Sequence, residues 1–99
     1  MRSPRSSAAV PDVAFSRRAL ASLASSDDFL RSRNPAAADA LVAEINRLCD
    51  LIAAFPEMGR LEPRSGLRFH ITRKYRFRVV YRVREGRVEV VDVLHPKRR

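Results

Sequence analysis

The strongest pattern in the chain is an alternation of apolar and polar residues in its second half. Apolar side chains occupy every second position from Tyr75 to Val83, and arginines fill most of the positions between them. A shorter alternation runs through Leu67, Phe69 and Ile71. Period two is typical of half-buried β-strands, so this stretch predicts two strands with an apolar face and an arginine-rich face.

A tight turn and a third strand follow. Glu85-Gly86 has the composition of a two-residue hairpin turn, and the valine-rich segment from Val88 to Leu94 predicts the last strand. The segment from Glu57 to Gly66 contains Pro63 and is predicted to be a loop. This half of the chain therefore predicts a three-stranded antiparallel meander.

The first half shows helical spacing instead. Ser16 is a typical N-cap, and apolar residues follow it at helical intervals, although Ser25 to Asp28 weakens the middle of that helix. Asn34-Pro35 predicts the start of a second helix, which Pro56 ends. An apolar stripe marks that helix: Ala38, Leu41, Ile45, Leu48, Cys49, Ile52 and Phe55.

These elements predict an α+β fold in the order β-α-α-β-β-β. A short strand around Val10 to Phe15, held to a sheet edge by Pro11, precedes an antiparallel helical hairpin that covers the apolar face of the meander. The 99 residues fit one domain, which we assign to residues 10–99. Residues 1–9 lack periodicity and are predicted to be a disordered lead-in.

Charge divides the chain unevenly. Residues 1–59 hold seven basic and seven acidic side chains, whereas residues 60–99 hold thirteen basic and four acidic ones, which accounts for the whole net charge of +9. Such segregation predicts a polyanionic partner, either nucleic acid or a strongly acidic protein.

Several classes of protein are excluded by composition. The single cysteine, Cys49, rules out an internal disulfide and is expected to be a buried, inert thiol. No Cys/His spacing fits zinc, and no glycine-rich phosphate loop is present, so we expect neither metal nor cofactor. No apolar run approaches the roughly 20 residues of a membrane span, and a cytoplasmic protein is expected.

Six short pieces of sequence occur in a distinctive order. They are Phe15–Ala19, Asn34–Ala37, Phe55–Arg60, Gly66–Arg68, Tyr75–Val83 and Val93–Arg99. In this order and spacing the chain resembles the RelE/ParE toxins of bacterial type II toxin–antitoxin modules over about residues 10–99. The resemblance implies a growth-inhibiting toxin, of a kind associated with plasmid stabilisation, that a cognate antitoxin neutralises.

The family has two branches, and the resemblance favours the ParE-like one. ParE-like members poison DNA gyrase and are not enzymes, whereas RelE-like members are ribosome-dependent mRNA endoribonucleases. Tyr81-Arg82-Val83 and Val93-Leu94-His95 resemble the ParE-like branch, and the tyrosine that RelE-like members place beyond their C-terminal arginine has no counterpart after Arg98. The RelE-like activity stays open as the alternative. A third reading is a degenerate toxin that only binds its antitoxin.

The resemblance also assigns site residues. On the ribonuclease reading, Arg68, Arg78 and Arg98 would stabilise the phosphate and His95 would transfer the proton; on the ParE-like reading His95 is structural. On either reading the target or anion-binding surface is predicted to contain seven basic side chains: Arg68, His70, Arg76, Arg78, Arg82, Lys97 and Arg98.

Two further expectations concern charge. Asp92 is expected to pair with a neighbouring cation and to weaken the anion surface locally. The antitoxin is expected to be acidic and to fold on binding, with an amphipathic helix across the sheet edge or the helical hairpin. A higher-order toxin–antitoxin complex is a further expectation.

Overall fold

Two helices pack on one face of a five-stranded sheet in the computed structural model, which describes residues 13–96. The elements are β1 (Val13–Phe15), α1 (Arg17–Arg33), α2 (Pro35–Ala54), a 3₁₀ turn (Pro56–Met58), β2 (Arg60–Glu62), β3 (Leu67–Ile71), β4 (Arg78–Arg84) and β5 (Arg87–Leu94). The strand order is β1-β5-β4-β3-β2, with β1 parallel to β5 and the other pairs antiparallel. The predicted α+β class, short first strand and helical hairpin are confirmed.

The sheet has one strand more than the sequence pattern predicted. Arg60–Glu62, expected to lie in a loop, forms the edge strand β2 and pairs with β3. The element order is therefore β-α-α-β-β-β-β. Three residues next to Pro63 are too few for an alternation to appear, and the strand depends on its partner β3 rather than on local preference.

Both predicted helix caps are confirmed. The Ser16 hydroxyl accepts the Ala19 N–H at 2.9 Å and donates to the Val91 carbonyl at 2.8 Å, so the cap also attaches α1 to β5. Asn34 ends α1 and caps α2, because its side-chain oxygen accepts the Ala37 N–H at 3.2 Å. One residue thus makes the turn of the hairpin.

The predicted weak point in α1 is not a break. The helix runs through Ser25 to Asp28 without interruption. Arg31 pairs with Asp27 one turn earlier at 2.8 Å and with Asp39 of α2 at 3.1 Å, which joins the two helices. The hydrogen bond from Arg31 lowers the pKa of Asp27.

The core lies between the helices and the sheet. Its largest buried members are Leu41, Ile45, Leu48 and Ile52 from α2, and Phe77, Val79, Tyr81, Val88, Val90 and Val93 from the sheet side. Cys49 packs beside this core, and burial raises the pKa of its thiol to about 11. No helix within residues 13–96 is long and apolar enough to cross a membrane.

Strand β4 begins three residues later than the alternation predicted. Thr72 and Phe77 close a turn: the Thr72 N–H donates to the Phe77 carbonyl at 2.8 Å, and the Phe77 N–H donates to the Thr72 hydroxyl at 2.9 Å. Arg76, inside this turn, has a left-handed backbone with φ of 61°. Arg76 therefore lies in a turn and not on strand β4, where the alternation predicted it.

Some predicted features lie outside the described residues. These are the lead-in at residues 1–9, the strand start at Val10 and Pro11, and the C-terminal Lys97, Arg98 and Arg99.

Candidate functional site

Strand register decides which side chains share a face of the sheet. Residues that lie opposite each other on paired strands point to the same side. Val79 and Tyr81 are fully buried under the helices, so their side is the helix face. The other side, which we term the open face, carries Phe69, Ile71, Arg78, Val80 and Arg82.

Arg68 and His70 do not join the arginines of β4 on one surface, contrary to expectation. Arg68 lies opposite Tyr81 and His70 lies opposite Val79, which places both on the helix face. The apolar members of β3 therefore point to the open face. All five residues of β3 are half-buried, so their alternation could not indicate which side faced the core.

Arg68 and Tyr81 together hold the segment after α2. One Arg68 guanidinium nitrogen, Nη1, donates to the carbonyls of Gly59 at 2.8 Å and Glu57 at 3.1 Å. The Tyr81 hydroxyl accepts the Gly59 N–H at 2.8 Å and donates to the Pro56 carbonyl at 2.8 Å. These two polar side chains thus hold the segment Phe55–Arg60, which connects α2 to β2 and which we term the joint.

Gly59 is required by this joint. A Cβ atom at position 59 would lie 2.5 Å from the Tyr81 hydroxyl oxygen, closer than van der Waals contact permits. The absence of a side chain therefore allows the Tyr81 hydroxyl to reach the backbone on both sides of the joint.

A concave site lies on the open face where Ile71 of β3, Arg78 of β4 and Leu94 of β5 lie opposite one another. The Arg78 pocket, as we term it, has a volume of about 450 Å³ and is lined by Ile71, Arg76, Arg78, Leu94, His95 and Pro96. The Arg78 guanidinium carbon stands 4.6 Å from the centre of the Phe69 ring, a cation–π geometry that orients an exposed cation. Two guanidinium groups beside apolar side chains can bind a phosphate or a carboxylate.

His95 lies between this pocket and the core. Its ring meets Phe77 edge-to-face with centroids 5.1 Å apart, and Phe29 of α1 at 6.0 Å. These ring contacts hold His95 against the side chains of α1 and the core. The structure therefore brings His95, Arg76 and Arg78 to one pocket, and it separates them from Arg68 and His70.

The charge of Arg82 is partly neutralised by an ion pair within the sheet. Its Nε and Nη2 atoms both lie 2.8 Å from a carboxylate oxygen of Glu89 on β5. Arg78 makes no ion pair within residues 13–96 and is exposed. Among the predicted cations of β4, Arg78 is therefore the better placed to bind an anion.

Asp92 lies within ion-pair distance of a cation on α1. Its carboxylate accepts the Ser22 hydroxyl at 2.9 Å and the Val93 N–H at 2.8 Å, and it lies 4.0 Å from Arg18 of α1. The cation that pairs with Asp92 within residues 13–96 therefore belongs to α1 and not to the sheet. Within residues 13–96 no cluster of His, Cys, Asp and Glu could hold a metal ion.

A second concave region lies on the helix face at the C-terminal end of α2. This groove has a volume of about 720 Å³ and is lined by Ala54, Phe55, Pro56, Glu57, Met58, Leu61, Gly66, Arg68 and Val83. The sequence pattern did not predict it. The available signal was the pair Phe55 and Met58, two large apolar residues flanking a helix-ending proline.

Residues 13–99 match the family described as "ParE toxin of type II toxin-antitoxin system, parDE". The chain belongs to this family. A solved structure, described as "Chromosomal ParDE TA system from P. aeruginosa", is similar at a TM-score of 0.73 and 19% sequence identity. The similarity covers 89% of this chain and 98% of that chain and shows a shared fold. No curated protein matches the chain.

The match confirms the RelE/ParE resemblance and its ParE-like branch. The chain is thus a ParE-type toxin of a type II toxin–antitoxin system. In this ParE toxin the Arg78 pocket and the groove at the end of α2 lie on opposite faces of the sheet. They also lie near opposite ends of β4, separated by roughly 17 Å of strand between Arg78 and Val83.

Proposed function

We propose that this ParE toxin inhibits growth by binding DNA gyrase through the open face, without breaking a bond itself, and that a cognate antitoxin neutralises it. The observation that supports the proposal is the Arg78 pocket, where an exposed guanidinium is oriented on Phe69 beside Arg76 and apolar side chains. This combination suits an acidic protein surface or a DNA phosphate held by a protein. Such a toxin would act in the cytoplasm.

Binding accounts for this geometry better than catalysis does. Cleavage of RNA without a metal needs a group to deprotonate the ribose hydroxyl, cations on the phosphate and a proton donor for the leaving oxygen. Arg68 and His70 lie on the helix face and do not line the Arg78 pocket. Among the residues that line it, only His95 is of a type that ordinarily titrates near neutral pH. Its ring is packed between two aromatic side chains.

Supercoiling by purified gyrase tests the proposal. Added toxin should inhibit supercoiling, and Arg78→Ala should need at least tenfold more protein for the same inhibition because the oriented cation is gone. Arg47→Ala, which removes an exposed arginine from α2, is the matched control and should inhibit like the wild type. Normal supercoiling at an excess of wild-type toxin would refute the gyrase target.

The ribonuclease alternative keeps one observation in its favour, the shared pocket of His95, Arg76 and Arg78. Primer extension on translated transcripts after induction of the toxin tests it. New 5′ ends that vanish in the His95→Gln variant would support cleavage, whereas unchanged transcripts would eliminate it. If expression without antitoxin left growth unchanged, the chain would instead be a degenerate toxin.

The proposed antitoxin is an acidic protein, because a toxin with a net charge of +9 attracts a partner of opposite sign. Binding that orders a disordered acidic segment is a common way to cover such a surface. Assembly into a higher-order toxin–antitoxin complex belongs to the same proposal.

A further inference from the structure

Within residues 13–96 two residues other than glycine have a left-handed backbone, Arg76 with φ of 61° and Glu85 with φ of 54°. A residue with a Cβ atom is strained in this conformation, whereas glycine adopts it freely. Glu85 lies in the tight turn between β4 and β5, where a two-residue hairpin demands the conformation. Arg76 lies beside the Arg78 pocket instead. Strained residues concentrate at binding sites, so the conformation of Arg76 points to a use of its side chain.

The turn that contains Arg76 is fixed at both of its ends. The Arg76 N–H donates to the Thr72 carbonyl at 3.1 Å, in addition to the two hydrogen bonds that join Thr72 and Phe77. Thr72 and Phe77 are each 2% exposed, whereas Arg76 is exposed. Two buried residues thus hold the turn while the arginine between them reaches solvent.

A carboxylate of α2 holds the same turn from the helix layer. Glu44 Oε2 accepts the backbone N–H of Arg73 at 2.7 Å and that of Lys74 at 3.4 Å. Glu44 is half-buried and makes no ion pair within residues 13–96. Hydrogen bonds from backbone N–H groups to an ionised carboxylate are among the strong ones. Glu44 and Thr72 together over-determine the turn, which is the condition under which a strained residue persists.

The turn brings a second cation to the Arg78 pocket. Arg76 precedes β4 in the chain and yet lines the pocket together with Arg78. Both side chains are exposed, and neither makes an ion pair within the described part of the chain. Two guanidinium groups in one pocket can bind a single oxyanion, either a carboxylate or a phosphate. Glycine at position 76 would remove the strain but also this second cation.

We propose that Arg76 and Arg78 together bind one oxyanion of the target, and that Glu44 is the positioning residue that holds Arg76 in the pocket through the turn. The inference rests on the proposed function of the Arg78 pocket. A purely electrostatic role of Glu44 would have the opposite sign. Removal of a carboxylate from a cationic protein favours the binding of an anion, whereas loss of the position of Arg76 weakens it.

Supercoiling by purified gyrase, paired with thermal melting of the toxin, tests Arg76. Arg76→Gly should raise the melting temperature by about 2–4 °C because the strain is relieved, and yet at least tenfold more protein should be needed for the same inhibition. Glu85→Gly is the matched control for strain and should melt higher while inhibiting within twofold of wild type. Arg47→Ala controls for the loss of one positive charge. Wild-type inhibition by Arg76→Gly, or a lower melting temperature of that variant, would overturn the role of Arg76.

The same assay tests Glu44. Glu44→Ala should weaken inhibition at least fivefold, whereas Glu44→Gln, whose amide oxygen still accepts hydrogen bonds, should stay within twofold of wild type. Asp50→Ala removes an exposed carboxylate from the same helix and should not weaken inhibition. In an Arg76→Gly background, Glu44→Ala should add less than a twofold effect, because Glu44 acts through Arg76. Equal effects of Glu44→Ala in both backgrounds would show that Glu44 does not position Arg76.

Failure of the gyrase target would give a different result. If wild-type toxin leaves supercoiling unchanged, growth inhibition on induction compares the same variants without assuming a target. Reduced toxicity of Arg76→Gly and Glu44→Ala, with Glu85→Gly fully toxic, would then support the pair of arginines at another target. Full toxicity of all three variants would overturn the inference, and a harmless wild type would overturn both it and the proposed function.

Discussion

Tyr81 and Arg68 are polar side chains that β4 and β3 direct toward the helices, and both hold residues 56–59 in place. Neither role was visible in the sequence, because each bond joins positions that are 9 to 25 residues apart. The sequence alternation correctly placed Tyr81 in the core. It placed Arg68 on the wrong face, because a strand that is half-buried on both sides does not reveal its register.

Replacement of Tyr81 by Phe should cost about 1–3 kcal/mol, because the buried Gly59 N–H loses its acceptor. Burial raises the pKa of Tyr81, so its neutral form is favoured in the folded state. The contribution to stability is then complete below the ordinary tyrosine pKa of about 10 and is lost as pH rises through the folded value. Urea unfolding at pH 8 and pH 11 should show a smaller alkaline loss for Tyr81→Phe than for wild type.

Two arginines should respond to truncation in opposite ways. Arg78→Ala removes an exposed cation and should change the free energy of unfolding by only about 0.5 kcal/mol while toxicity falls sharply. Arg68→Ala should cost about 1–3 kcal/mol because two carbonyls lose a charged donor. Thermal melting paired with growth inhibition separates them. A folded and fully toxic Arg78→Ala would show that the open face is not the working surface.

At the scale of elements, the features that depend on neighbouring residues were predicted correctly, whereas those that depend on distant residues were not. Ser16 and Asn34 cap helices through hydrogen bonds to residues three positions later, so the sequence alone predicted both helix starts. Strand β2 exists only through its pairing with β3, and the late start of β4 depends on the turn that Thr72 closes. The groove depends on β2 and the Arg78 pocket depends on that turn, which is why neither could be predicted.

The apolar stripe of α2 gives a prediction at this scale. Leu48 is 5% exposed and packs in the core, so Leu48→Ala should cost about 2–5 kcal/mol through the cavity it leaves. Leu51, 43% exposed on the same helix, is the matched control and should cost less than 1 kcal/mol as a surface substitution. Denaturant midpoints of the two variants provide the comparison. Similar losses at both positions would contradict the assigned helix face.

At the scale of the whole molecule, the charge on residues 60–99 is divided between two faces. The arginines of β4 project from the open face, while Arg68 lies in the groove on the helix face. The net charge was evident from the sequence, and it predicted an anionic partner. The distribution of this charge between the two faces was not evident, because it depends on strand register. One basic half can thus present two separate cationic surfaces.

Salt dependence tests the role of this charge in antitoxin binding. Between about 0.05 and 0.5 M salt the screening length falls from about 14 to about 4 Å, so association of oppositely charged partners should slow markedly. Stopped-flow association of toxin with antitoxin should therefore show a rate constant that decreases at least tenfold over this range. A rate constant independent of salt would argue for a purely apolar recognition surface.

The Asp92 carboxylate has a consequence for growth of the sheet. Strand β1 covers β5 only through Val90, and beyond it Asp92 occupies the Val93 N–H with its own side chain. An incoming strand would find that donor already taken, and a charged group in its path. Pairing of a further strand along β5 beyond β1 is therefore hindered, whereas the opposite edge of the sheet is β2, which borders the groove.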